Sequence, residues 1–214
     1  AFSYSEGEDE AESEATCASG DDTSTETAEA FLEDNDVNLT CADAFVPKGS
    51  FVVVEGPSGS GKSTLFKLVL GAYDAEGFTY ELARDGNAAS CAASQVPPGV
   101  FAYVPQDNFL FAGTVRENVA FAASDTTDSQ IERACKAACA WSFVKELPLG
   151  LDTMIGEHGQ GLSQGQLQRL AIARAICSGA PIMVLDEVTS ALDDATEAAV
   201  LANIAALPGK TVFV

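Results

Sequence analysis

Lys62 and Ser63 close a run of small residues, Gly56-Pro57-Ser58-Gly59-Ser60-Gly61-Lys62-Ser63-Thr64. Gly56, Gly61, Lys62 and Ser63 satisfy the spacing G-x-x-x-x-G-K-[ST] of a loop that cradles phosphates. Each residue type has a physical reason to be there. Glycines reach backbone conformations closed to other residues, so successive N–H groups can point at one anion. The helix that follows would offer the positive end of its dipole to the same anion. Lys62 would add a point charge on the β- and γ-phosphates of a nucleoside triphosphate, and the Ser63 hydroxyl would hold Mg2+.

A second group with chemical potential stands 124 positions beyond Lys62, in Pro181-Ile182-Met183-Val184-Leu185-Asp186-Glu187. Acids that end a buried strand are common, but beside a phosphate loop they take on specific tasks. Asp186 is placed to hold Mg2+ through water, and Glu187 faces the γ-phosphate side, where it can orient the attacking water.

These residues need elements to position them. Phe51–Val54 is a short β-branched run that reads as a buried strand feeding the loop, and Leu65, Phe66, Leu68 and Val69 continue at helical spacing. Further strands are expected at Phe31–Thr40, Phe78–Leu82, Val100–Val104, Pro181–Leu185 and Lys210–Val214. Helical signals fill Thr114–Pro148, with Asp128-Ser129-Gln130 capping a helix Ile131–Cys139 and a second piece around Trp141–Leu147. Ser163 caps a helix Gln164–Cys177, and Thr196–Ala206 is the last helix. Strands alternating with helices predict an α/β fold with a mainly parallel central sheet, the phosphate loop lying at a strand's carboxyl end.

The formal net charge of −21 is unevenly spread. Residues 1–36 hold 13 of the 32 acids and no base, which leaves 19 acids against 11 bases elsewhere. A nucleic-acid surface needs clustered Lys and Arg, so the balance argues against that class of partner. From Ser5 to Ala30 the chain is mostly Glu, Asp, Ser, Thr and Ala, a composition that buries too little to offset its ordering entropy, and a disordered acidic loop is expected. No apolar run approaches the roughly 20 residues that cross a bilayer. The start at Ala1 and the apolar finish Val212-Phe213-Val214 read as cuts from a longer chain. The six cysteines form no C-x-x-C pair; Cys135 and Cys139, four apart on a helix, read as buried thiols in preference to a metal pair.

Several stretches, taken in order, resemble the nucleotide-binding domain of ATP-binding cassette (ABC) transporters. Gly161-Leu162-Ser163-Gln164-Gly165-Gln166-Leu167-Gln168-Arg169 is similar to the family signature, with Gln164 at the place of its first glycine. Tyr103-Val104-Pro105-Gln106 is similar to the Q-loop and Ser190-Ala191-Leu192-Asp193 to the D-loop. Thr114-Val115-Arg116-Glu117-Asn118-Val119 and Gly156-Glu157-His158-Gly159 resemble the exporter branch. The resemblance implies a P-loop NTPase with an N-terminal antiparallel β subdomain and a helical signature subdomain over residues 112–165. It makes residues 1–214 one nucleotide-binding domain, with 5–30 as an insertion.

The same resemblance implies the site. Tyr4 stacks on adenine. Ser58, Gly59, Ser60 and Thr64 join Gly56, Gly61, Lys62 and Ser63 around the phosphates of ATP. Ser63, Gln106 and Asp186 hold Mg2+, while Lys62, Gln106 and Glu187 do the catalytic work. Ser163, Gly165 and Gln166 close on the γ-phosphate held by a second nucleotide-binding domain, so ATP joins a head-to-tail dimer. Transmembrane domains of the same or a partner chain complete a transporter, with this part on the cytoplasmic face of the membrane. The family's switch histidine follows the last strand and lies beyond Val214; His158, the one histidine, is a surface or interface residue. Two other readings stay in play: a soluble ABC ATPase of DNA repair or translation, and a cassette that binds ATP without hydrolysing it. Only 43 residues separate Lys62 from Gln106, which leaves no room for the long coiled-coil insertion of the DNA-repair type. Glu187 argues against the non-hydrolysing cassette, because such sites commonly lack the base.

Overall fold

A computed structural model describes residues 12–17, 26–31, 45–57, 59–73, 79–84, 87–92, 95–106, 110–123, 126–156 and 161–214. The chain divides into two compact units, residues 1–98 with 213–214, and residues 99–212.

In the first unit the backbone pairs twice as antiparallel hairpins. Strand β1 (Glu12–Cys17) pairs with β2 (Glu26–Phe31) in a register that sets Glu12 against Phe31 and Cys17 against Glu26. Within Ser5–Ala30, where a disordered loop is expected, the described residues 12–17 and 26–30 are paired as strands, and the other residues of that stretch fall outside the description. The composition rule counts side-chain burial, whereas a ladder is made by N–H and C=O groups that every residue in the two strands carries. Phe31 ends β2; the rest of the strand expected at Phe31–Thr40 falls outside the described residues, as does Tyr4. Strand β3 (Phe51–Val52) precedes the glycine-rich loop. The Val214 N–H donates to the Val52 carbonyl at 2.9 Å and the Val54 N–H to the Val214 carbonyl at 2.6 Å, the alternation of a parallel ladder. Val52 and Val54 are buried, as the β-branched run requires. Helix α1 (Lys62–Val69) follows and buries Phe66. Strand β4 (Thr79–Arg84) pairs antiparallel with β5 (Asn87–Ala92), Arg84 opposite Asn87. Only Asp85-Gly86 separates them, a pair of residues that favours two-residue hairpin turns.

The second unit is built on a parallel pair. Strand β6 (Phe101–Val104) lies beside β9 (Ile182–Leu185) with Tyr103 opposite Val184. Met183, Val184 and Leu185 are fully buried, which explains the unbroken apolar run in β9. The crossover between these strands carries four α-helices among its described residues. Strands β7 (Gly113–Thr114) and β8 (Met154–Ile155) pair antiparallel and bracket α2 (Val115–Ala120), α3 (Asp128–Ala137) and α4 (Trp141–Val144). Helix α5 (Gln164–Cys177) returns the chain to β9 and packs against α2, α3 and β6. Helix α6 (Asp194–Ala205) and strand β10 (Thr211–Phe213) follow, the Thr211 N–H donating to the Pro181 carbonyl. The α/β fold with parallel pairing stands as expected.

Local rules set the helix starts. Thr114 and Glu117, Thr127 and Gln130, and Ser163 and Gln166 stand three apart, the spacing of a capping box. The buried polar group Asn118 is fully engaged. Its amide bonds to the backbone of Phe111 and Thr114, and the Arg174 guanidinium donates to its Oδ1 and its carbonyl, each at 2.8 Å. That arginine also lies over the rings of Phe111 and Phe121, so α2 and α5 share one cation. Cys135 is buried, and burial pushes its thiol up to about 12, the behaviour of a packed thiol. Among the described residues no helix is long and apolar enough to cross a membrane.

Candidate functional site

The glycine-rich loop takes its shape from left-handed backbone. Gly59 and Gly61 both have φ of 86°, a region where a side chain is strained. Gly61 is the N-cap of α1, and no side chain caps that helix. The Ser60 N–H donates to the Pro57 carbonyl, and Lys62 turns back over the loop, its Nζ donating to the carbonyls of Gly56 at 2.8 Å and Pro57 at 3.0 Å. The Ser60 hydroxyl is buried with no hydrogen-bond partner among the described residues. Ser63 and Thr64 lie in the first turn of α1, and Ser58 is outside the described residues. An ammonium resting on backbone carbonyls, a helix start without a side-chain cap and an orphaned hydroxyl all suit an anionic ligand. The donor set fits a phosphate chain, with the Ser63 hydroxyl a hard oxygen of the type Mg2+ accepts.

In the second unit, β9 delivers the acid pair to the end of the parallel sheet. Asp186 is 3% exposed and continues the ladder, its N–H donating to the Val104 carbonyl at 2.9 Å. The register explains its side-chain partner. Tyr103 stands opposite Val184, and Asp186 lies two residues further, roughly 6.6 Å along the strand, about the reach of a tyrosine. The Tyr103 hydroxyl donates to Asp186 Oδ2 at 3.1 Å. Burial first, then the Asp186 charge and the hydrogen bond, push the Tyr103 hydroxyl up to about 12, so it stays protonated and serves as a hydrogen-bond donor across the physiological range.

Glu187 differs from Asp186 in every respect. It is exposed, and its φ of 51° puts a non-glycine residue in the left-handed region, a backbone cost that persists where the surroundings over-determine it. Its carboxylate accepts from Gln106 Nε2 at 2.8 Å. Sequence reasoning named Gln106, Asp186 and Glu187 separately, and the structure brings Gln106 to Glu187. It did not assign Tyr103 to Asp186; the signal was a tyrosine on a strand that pairs with the strand carrying the acid.

Ser163 is the N-cap of α5, as expected. Its Oγ accepts from the Gln166 N–H at 3.3 Å, and its N–H donates to Gln166 Oε1 at 2.9 Å. Gly165 sits in that first turn where a Cβ would stand 2.9 Å from the Ala191 carbonyl oxygen, so glycine is required for close approach. Gln168 is a functional residue that the signature resemblance leaves without a role. It is buried to 1% exposure on a face shared with Ala171, Ile172 and Ala175, and a polar residue within such an apolar stripe was the available signal.

An α/β chain with this loop ahead of a helix, and an acid pair ending a buried parallel strand, is a P-loop nucleotide-binding protein. The chain belongs to the ABC transporter family: residues 35–190 match the family described as ABC transporter. The ATP-dependent lipid A-core flippase of Thiobacillus denitrificans is 45% identical over 163 residues, which are 76% of this chain and 28% of the flippase. The protein of the same name from Vibrio cholerae is 43% identical over 171 residues, 79% of this chain and 29% of that one. The chain thus spans less than a third of each of these relatives. A solved structure, that of a bacterial Atm1-family ABC exporter with ATP bound, superposes with a TM-score of 0.72 at 33% identity, covering 86% of this chain and 33% of the exporter. Over the matched span the chain is thus similar to members of the family that are named as flippases and exporters.

Proposed function

We propose that this domain binds Mg-ATP, hydrolyses it, and drives a membrane exporter through a head-to-tail pairing with a second nucleotide-binding domain. The observation that carries the reading is Glu187, exposed on a strained backbone directly after buried Asp186. Strain of that kind is kept where function needs a group held in one place.

Each residue has a task within this reading. N–H groups of Gly59, Ser60 and Gly61, with the start of α1, hold the phosphates, and Gly56 and Ser58 complete the loop; Tyr4 stacks on the adenine. Lys62 Nζ leaves its carbonyls for the β- and γ-phosphates. Ser63, Asp186 and Gln106 are the groups that would hold Mg2+, with Tyr103 fixing the Asp186 carboxylate. A metal held there would supply positive charge against the phosphate oxygens. Glu187 takes the proton of the attacking water; the water oxygen bonds to the γ-phosphorus, the bond to ADP breaks, and phosphate leaves. Ser163 and Gln166 turn from capping their own helix and, with Gly165, contact the γ-phosphate held by the partner domain. Residues 1–214 form one nucleotide-binding domain with residues 112–165 as its helical subdomain, placed on the cytoplasmic face beside transmembrane domains. Its partners are proteins, and nucleic acid is not among them.

The test is Glu187→Gln in the full protein. ATP affinity is expected to hold while turnover falls by about 100-fold or more, and ATP should then hold two domains together as a stable pair. Normal hydrolysis by that variant would move the base elsewhere.

A further inference from the structure

Gln168 uses both ends of its amide on a single segment. Its Nε2 donates to Ser190 Oγ at 3.3 Å, and its Oε1 accepts from the Ala191 N–H at 3.2 Å. One turn earlier on α5, Gly165 meets the Ala191 carbonyl at van der Waals range, where any Cβ would collide. The start of α5 therefore grips Ser190-Ala191 at two points, from a glutamine that is almost wholly buried beneath an exposed loop.

The gripped loop is the one that carries Glu187. The Ser190 N–H approaches the Glu187 carbonyl at 3.4 Å and the Leu192 N–H donates to the Thr189 carbonyl at 2.9 Å, so Glu187–Asp193 is a compact turn. Its far side is tied to α6. Thr189 Oγ1 donates to Glu197 at 2.7 Å, and Asp193 caps the helix. A left-handed glutamate survives only if its neighbours allow no relaxation. With α6 on one side, Gln168 supplies the constraint on the other.

We propose that Gln168 is a positioning residue for Glu187: it locks the Glu187–Asp193 turn to α5, so that the Ser163 end of the helix and the Glu187 carboxylate move as one piece. This rests on the reading of Glu187 as the base. Engagement of Ser163 by the nucleotide of a second domain is then transmitted to Glu187 through α5 without a separate signal. Both printed partners of the Gln168 amide, Ser190 and Ala191, lie with it in the unit of residues 99–212.

The experiment compares Gln168→Met, which keeps volume and loses both hydrogen bonds, with Gln168→Glu, whose carboxylate can accept from the Ala191 N–H and from a rotated Ser190 hydroxyl. Steady-state ATPase activity and binding of a fluorescent ATP analogue are measured on the full protein. Gln168→Met is expected to lower kcat about tenfold with KM and nucleotide affinity within twofold of wild type, the scale of two lost hydrogen bonds acting through position. Gln168→Glu should restore at least half of the lost rate. Wild-type kcat in Gln168→Met overturns the proposal. So does a loss that tracks the folded fraction, with Gln168→Glu no better than Gln168→Met. If Gln168→Met does not fold, Ser190→Ala decides: this exposed residue tolerates truncation, and a two- to threefold fall in kcat at unchanged KM supports the clamp, while unchanged kcat refutes it. An inactive Glu187→Gln beside a fully active Gln168→Met would keep the base and discard the clamp. An active Glu187→Gln would remove the base itself.

Discussion

Helices α1 and α5 both begin after glycine-containing runs, and both are named by sequence as places for an anion, yet they begin in opposite ways. Helix α1 starts from Gly61 in the left-handed region with no side-chain cap, and the hydroxyl beside it, Ser60 Oγ, is buried with no hydrogen-bond partner among the described residues. Helix α5 starts from Ser163 with its first turn closed by Gln166, donor and acceptor each answered. The dipole is the same kind of feature at both ends. What differs is who satisfies the first turn. A start without a side-chain cap is poised for an external anion; a capped one is stable alone and must open to accept one. This difference suits a site where one end holds the nucleotide throughout and the other meets it only when two domains close.

The sharpest way to break the comparison is to discharge the first end. Lys62→Ala removes the ammonium that now rests on the Gly56 and Pro57 carbonyls. Charge-assisted hydrogen bonds are worth about 1.5–3 kcal/mol, so ATP affinity should fall roughly 10- to 100-fold, read by titration calorimetry. Unchanged affinity would remove the phosphate site from α1. A smaller loss is expected from Gly61→Ala. At φ of 86° the added Cβ costs about 1–2 kcal/mol, and relaxation of the loop should weaken ATP binding about tenfold. Binding at wild-type strength would mean that the loop does not need its left-handed glycine.

The same contrast shows how far the sequence was legible. Helix α5 could be read to the residue, because Ser163, Gln166 and an apolar stripe all signal one start, and Gly179 follows Cys177 closely. The glycine loop was legible as a motif, since its chemistry is carried by backbone and spacing. Strand β5 was missed because Ala, Ser and Asn carry no apolar alternation, although Asp85-Gly86 held the turn signal. The hairpin β1–β2 was missed for a related reason: its residues offer no core, and pairing is a property of two segments at once. Contacts between distant residues were the least legible. Tyr103 with Asp186, and Gln168 with Ser190 and Ala191, are separated by 83, 22 and 23 positions, and only the register of β6 on β9 and the approach of α5 to the turn bring them together.

Ser163→Ala tests the capped end. Losing a cap hydroxyl costs about 1 kcal/mol, so Tm should drop by about 2–4 °C, followed by circular dichroism. Affinity of a single domain for ATP should stay at the wild-type value, since the nucleotide is held at α1. A loss of single-domain affinity equal to that of Gly61→Ala would erase the distinction between the two ends.

A third helix start refines the comparison with a smaller effect. Helix α6 is capped by charge: the Asp193 carboxylate accepts from the Thr196 hydroxyl at 2.8 Å and from the Thr196 N–H at 3.0 Å. Those two bonds, the hydroxyl first, hold Asp193 below its ordinary carboxyl value. The sign follows directly. A group whose folded pKa lies below its unfolded value contributes stability that is present above the unfolded pKa, about 4, and is lost as pH falls through the folded one. Asp193 is exposed, so solvent screens the contribution and it is small. Asp193→Asn keeps a capping oxygen and removes the charge. The gap in Tm between wild type and Asp193→Asn should be constant from pH 7 to about pH 5 and shrink below about pH 4 as the wild-type carboxylate protonates. Ser163→Ala, which alters a neutral cap, should show a gap from wild type that this titration does not change. If the Asp193→Asn gap also stays flat down to pH 3, the α6 cap works as a hydrogen-bond acceptor alone, and its charge adds nothing to the way this helix begins.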